Sequence, residues 1–138
     1  MRASVLAFSL VLALAAPAAA QEDRGAPDPI DTALDDCLGK PEGQSTAGML
    51  ECLNTAYDAW DRALNEVYGE LQASLDPESK KRLLDAQRKW LAFRDAERGF
   101  LGGPWTAELG TLVRVANSEA MVDLVKSRVL ALRGVNDR

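Results

Sequence analysis

Between Met49 and Arg94 the apolar residues Leu53, Tyr57, Trp60, Leu64, Val67 and Leu71 recur in steps of 4, 3, 4, 3 and 4. A strand shows its faces alternately, so only an α-helix places this series on one side. A stripe six positions long needs a partner helix along its length. The series breaks at Asp76-Pro77 and a helical pattern resumes as SKKRLLDAQRKWLAFRDAE. The chain must therefore turn back on itself, and the expected fold is all-α: a small helical bundle built on a long antiparallel helix hairpin, with a short N-terminal helix and a C-terminal helix.

Cap chemistry sets the expected boundaries. A short helix starts near Asp31, carries Ala33, Leu34 and Cys37 on one side and stops at Gly39 and Pro41. Ser45 or Thr46 caps the second helix, which runs to about Leu75, about 45 Å at about 1.5 Å per residue. Asp76 reads as the N-cap of the third and Pro77 as its first residue, since proline has no N–H to lose there. That helix reaches about Phe100 with Leu83, Leu84, Trp90, Leu91 and Phe93 as its apolar side, and Gly102-Gly103-Pro104 ends it. Residues 104–116 fit no single pattern. Asn117 or Ser118 can cap a last helix bearing Met121, Leu124, Val125, Val129 and Leu132, closed by Gly134.

The N-terminus combines Arg2, an apolar run from Val5 to Ala16 and the small residues Ala18-Ala19-Ala20. This is the pattern of a secretory signal peptide, cut after Ala20. The apolar run is too short for an ordinary membrane span, and no second one follows. Residues 21–30 are polar and contain two prolines, which makes them a flexible leader. The expected organisation is signal peptide 1–20, leader 21–30, one helical domain 31–134 and a tail 135–138. The formal net charge of −5 becomes −6 once Arg2 leaves with the signal. Such a surface repels nucleic acid and anionic lipid and steers basic proteins inward, although acidity also serves plain solubility.

In an exported chain two cysteines pair, so a Cys37–Cys52 bond tying the first helix to the hairpin is expected. A redox-active pair would favour a Cys-x-x-Cys spacing, which is absent. The chain contains no His, which removes the usual general base and the commonest metal ligand. Carboxylate pairs such as Asp58/Asp61 or Asp95/Glu97 could in principle cleave glycosides. With 21 acidic residues in the chain, such pairs arise by chance on solvated helix faces. The reading is of a non-enzyme with no metal and no cofactor.

The residues Cys52-x4-Tyr57, Asp61-x2-Leu64-Asn65-x2-Tyr68-x2-Leu71 and Leu84-x2-Gln87-Arg88-x-Trp90-x3-Arg94-Asp95 resemble the LprI-like lysozyme-inhibitor N-terminal domain family, small exported bacterial proteins. The resemblance covers roughly residues 31–134, and the Gln-Arg-x-Trp-x3-Arg-Asp block is its most specific part. It implies an all-helical, disulfide-bonded fold and inhibition of lysozyme. Members of that family commonly carry a second cysteine pair; the corresponding positions here are Arg98 and Ala120, which leaves the last helix held by packing alone.

Leu83, Gln87, Trp90 and Arg94 share one helical side, so two polar side chains sit in an apolar seam. They form either a recognition patch or a structural network, with Gln87 and Arg94 bonded across the hairpin to Asn65 and Asp61. The structural reading is favoured, because an unpaired buried guanidinium or amide costs several kcal/mol. Trp105, in a Gly-Gly-Pro-Trp loop, is either a binding anchor or a cap on the hairpin end. The expected partner is a protein, a cationic lysozyme, contacted through Asp58, Glu66 and Trp105. The alternative is an envelope accessory or scaffold protein that binds another periplasmic protein.

Overall fold

A computed structural model describes residues 26–137, so the signal-peptide expectation falls outside the described residues. Those residues form four α-helices, α1 Pro29–Gly39, α2 Thr46–Ser74, α3 Pro77–Leu101 and α4 Thr111–Asn136, with single 3₁₀ turns at Pro41–Gln44 and Pro104–Thr106. The architecture is the expected all-α bundle.

Where the caps are side chains, the boundaries follow local chemistry. Ser45 Oγ accepts from the Gly48 N–H at 3.0 Å, and Asp76 Oδ1 accepts from the Glu78 and Ser79 N–H groups at 2.9 and 3.0 Å. Bonding from Ser79, by its side chain and then its backbone N–H, holds the Asp76 carboxyl below the usual aspartate range. The first helix starts at Pro29 rather than near Asp31. Asp28 is its cap, accepting from the Ile30 N–H at 2.9 Å, so the last leader residues belong to the fold.

The last helix departs further from expectation. It begins at Thr111, six residues before Asn117, and continues through Gly134 to Asn136. Its N-cap is Gly110 at φ +85°, a left-handed conformation that offers no capping side chain. Asn117 caps nothing: its side-chain amide donates to the Leu101 carbonyl at 2.7 Å, fastening α4 to the end of α3.

The core lies between α2 and α4. Leu53, Trp60, Leu64, Val67 and Leu71 of α2 pack on Val122, Val125, Val129 and Leu132 of α4, with Trp60, Val125 and Val129 fully buried. The two helices run the same way, because Leu53 lies near Met121 and Glu70 bonds to Asn136. The stripe on α2 thus finds its main partner in α4 rather than in the other arm of the hairpin. Helix α3 returns antiparallel to α2 as a more loosely packed outer rod. Gln87 is its only buried residue, and Leu84 and Phe93, expected inside, are 38% and 49% exposed.

Helix α1 lies antiparallel to α2 on the opposite flank. The Cys37–Cys52 disulfide closes one end, with Cα atoms 5.8 Å apart. Backbones meet closely there: a Cβ on Gly48 would lie 1.9 Å from the Glu42 carbonyl oxygen, so no larger residue fits without moving the 3₁₀ turn. At the other end Asp28 pairs with Arg133 and Asp31 with Lys126, both at 2.7 Å. Helix α4 is therefore held by charge as well as by packing.

Candidate functional site

The family-motif residues divide into three groups by position. Trp60 is fully buried and its Nε1 has no hydrogen-bond partner among the described residues. Its ring lies beside two cations of α4, Lys126 Nζ at 5.8 Å and Arg133 Cζ at 5.6 Å from the centroid. Those cations bond in turn to Asp31 and Asp28, so one indole organises three helices. Burial raises the Asp28 pKa, but the Ile30 N–H and the Arg133 guanidinium outweigh it and hold the carboxyl below the ordinary range.

The second group is the α2–α3 seam. Arg94 Nη1 donates to Asp61 Oδ1 at 3.0 Å, as expected, while Nε and Nη2 donate to Asp95 Oδ1 at 3.1 and 3.0 Å. Its guanidinium lies 5.6 Å from the Trp90 ring centroid. Gln87 does not bond to Asn65. Its Oε1 accepts from Nε and Nη2 of Arg128 on α4, both at 3.1 Å, and burial lowers the Arg128 pKa. Asn65 instead donates to its own helix, to the Asp61 carbonyl at 2.9 Å. The Tyr68 hydroxyl accepts from Gln72 Nε2 at 3.1 Å. The seam is a network of satisfied bonds in which α4 is the unforeseen third member.

Replacing Arg94 by Leu keeps much of the stem packing and removes three donors. Because Asp61 remains about a third exposed, the expected loss is about 1–2 kcal/mol of stability, read as a melting point a few degrees lower. Partner affinity should change little; a variant that melts like wild type yet loses its partner would make the seam a recognition surface.

The third group comprises the candidate contact residues. Asp58 and Glu66 lie on one exposed face of α2, about 12 Å apart at about 1.5 Å per residue, with Arg62 between them. Trp105 folds back: its ring stacks on Phe100 with centroids 5.1 Å apart, and its Nε1 donates to the Phe100 carbonyl at 2.7 Å. It nevertheless remains 48% exposed beside Phe100 at 59%, so it both caps the end of α3 and presents a flat aromatic surface.

At this same end a cleft of about 870 Å³ opens between α2, the end of α3, the 102–110 loop and the start of α4. Asp58 lines it with Tyr57, Arg98 and Arg114, whereas Glu66 and Trp105 lie outside. Arg98 Nη2 donates to the Tyr57 hydroxyl and its guanidinium lies 4.9 Å from the Tyr57 ring centroid. The sequence gives no sign of Arg114 or Arg128, and marks Arg98 only as the position of a family cysteine that is absent here. The Lys126/Arg133 pair at i, i+7 beside the buried Val122, Val125 and Val129 was the one available signal.

Charge is segregated along the chain. Residues 26–75, which build α1 and α2, carry ten Asp and Glu against Lys40 and Arg62; residues 76–137 carry nine against eleven Lys and Arg. Asp35, Asp36, Glu42, Glu51, Asp58, Glu66 and Glu70 are all exposed. No group of three or more His, Cys, Asp and Glu among the described residues could hold a metal ion, and none of the described helices is long and apolar enough to cross a membrane.

The described residues thus form a disulfide-clamped, all-helical domain whose first two helices are acidic and whose loop end carries an aromatic stack. The chain belongs to the lysozyme inhibitor LprI family, whose model matches residues 37–132. Among solved structures it is similar to a crystal structure of an uncharacterized protein from Burkholderia thailandensis, with 31% identity and a TM-score of 0.76. That match covers 82% of this chain and 55% of the other, so the chain spans about half the length of that relative. No curated protein matches.

Proposed function

We propose that this protein is an exported, non-enzymatic inhibitor of a lysozyme-type cell-wall hydrolase. Membership of the lysozyme inhibitor LprI family supports the reading, and the observation that carries it is the segregation of charge. Exposed carboxylates gathered on α1 and α2 suit a cationic hydrolase, because complementary fields speed diffusional encounter. Asp58 and Glu66 contribute to that field, and the Phe100–Trp105 stack supplies a rigid apolar contact at the edge of it. The disulfide supports export, since such bonds persist in oxidising compartments.

A second reading, an envelope accessory protein binding another periplasmic protein, draws on a separate feature. An apolar groove of about 210 Å³ runs between α1 and α2 beside the disulfide, lined by Ile30, Leu34 and Ala56 among others.

Surface-binding kinetics against purified lysozymes, with a lysis assay on cell-wall substrate, test the first reading. Association should slow markedly as salt rises from about 0.05 to about 0.5 M, where the Debye length falls below about 10 Å, while dissociation changes less. Asp58→Asn with Glu66→Gln should mimic that slowing, and Trp105→Ala should mainly speed dissociation. Absence of binding to every lysozyme type at micromolar concentration would leave the accessory-protein reading in front.

A further inference from the structure

The cleft at the loop end has features that inhibition does not use. Its wall carries an apolar strip, the buried Leu53 and Met121 with the half-buried Leu50 and Leu101, beside the polar Asn54, Thr106 and Asn117. Its rim carries two guanidiniums, Arg98 and Arg114. In a chain of net charge −5, neither has a carboxylate partner among the described residues. Among the described residues Arg98 donates to the Tyr57 hydroxyl and neither it nor Arg114 forms an ion pair, a state they share with Arg62, Arg88 and Arg128 but that only these two bring to one cleft. One acid, Asp58, faces them on the rim. The volume, about 870 Å³, falls in the range of about 300–1,000 Å³ typical of small-molecule sites.

An apolar strip beside two cations without carboxylate partners among the described residues fits a ligand with an apolar body and an anionic head. A planar guanidinium binds a carboxylate through two parallel N–H···O bonds. We propose that this cleft binds a small amphipathic carboxylate of the fatty-acid type, its tail on Leu53 and Met121 and its head between Arg98 and Arg114. The site shares one residue with the proposed lysozyme-attracting surface, and that residue, Asp58, separates the two: its carboxylate favours a cationic protein but repels an anionic head.

The test uses the full mature protein titrated with dodecanoate below its micellar concentration, followed by calorimetry and by amide chemical shifts. Saturable one-to-one binding is expected, with shifts concentrated at the ends of α3 and α4 and the first half of α2. Arg98→Gln and Arg114→Gln should each weaken binding about ten-fold, Arg98→Lys should restore part of it, and Asp58→Asn should tighten it about two- to five-fold. Lys81→Gln, on the exposed side of α3 away from the cleft, should leave it unchanged. Dodecyltrimethylammonium, with the same tail and the opposite charge, should not saturate. The proposal is overturned if both amphiphiles bind alike, if the arginine variants bind as wild type, or if the shifts map to the groove beside Cys37 and Cys52. Because Asp58→Asn is expected to weaken lysozyme binding and tighten dodecanoate binding, failure of one reading is distinguishable from failure of the other.

Discussion

Trp60→Ala is expected to cost about 3–5 kcal/mol, the range for truncating a fully buried Trp. For a domain whose whole stability is about 5–15 kcal/mol, that brings unfolding close to working temperature. The loss has two sources. The cavity opens at the junction of α1, α2 and α4, where the packed Val125 and Val129 leave little room for collapse. The ring that Lys126 and Arg133 approach also disappears, leaving those cations only their α1 carboxylates. Denaturant titration of the variant against Trp105→Ala, whose side chain is half exposed, makes the comparison within one protein. A Trp60→Ala loss no larger than that of Trp105→Ala would remove Trp60 from the centre of the fold.

Loss of the disulfide should rank close behind. Cys52→Ala is expected to destabilise by about 2–5 kcal/mol, since the bond closes a loop of 15 residues in the unfolded chain. The effect should be uneven along the chain. Helix α1 has no fully buried residue and would retain only its ion pairs and its partly buried Ile30 and Leu34. Its amides should lose protection in hydrogen exchange first, while those of α2 and α4 remain protected. Mass spectrometry of the non-reduced protein should show a loss of about two hydrogens relative to the reduced form. An unchanged melting curve on reduction would show that the bond contributes nothing.

What was legible in the sequence was whatever local chemistry decides. Ser45, Asp76-Pro77 and Gly102 mark helix ends because each satisfies or withholds a backbone group within four residues of itself, and the structure places the ends there. The start of α4 was not legible, because a glycine in a left-handed conformation supplies no capping side chain to read. Nor was the identity of partners. The spacing of Leu53, Trp60, Leu64, Val67 and Leu71 requires a partner helix but cannot say which, and the answer, α4, is the helix farther along the chain. For the same reason Gln87 was assigned to Asn65 across the hairpin, whereas its acceptor oxygen serves Arg128. The cleft was hidden too, since Tyr57, Arg98 and Arg114 lie on three helices with no common sequence signal.

That α2 and α4 run the same way has a kinetic consequence. Two helices that point in the same direction cannot be joined by a tight turn; the chain must travel back the full length of the bundle, and α3 is that return journey. The core therefore cannot assemble from neighbours in sequence. Helices α1 and α2 can collapse early, but Trp60 meets Val125 and Val129 only after the whole α3 segment has been laid down and its ends brought together, an entropic toll paid before the main reward arrives. Folding of this protein is expected to be slower than that of a bundle whose core joins consecutive helices, with its rate responding to substitutions in α4 as strongly as to those in α2.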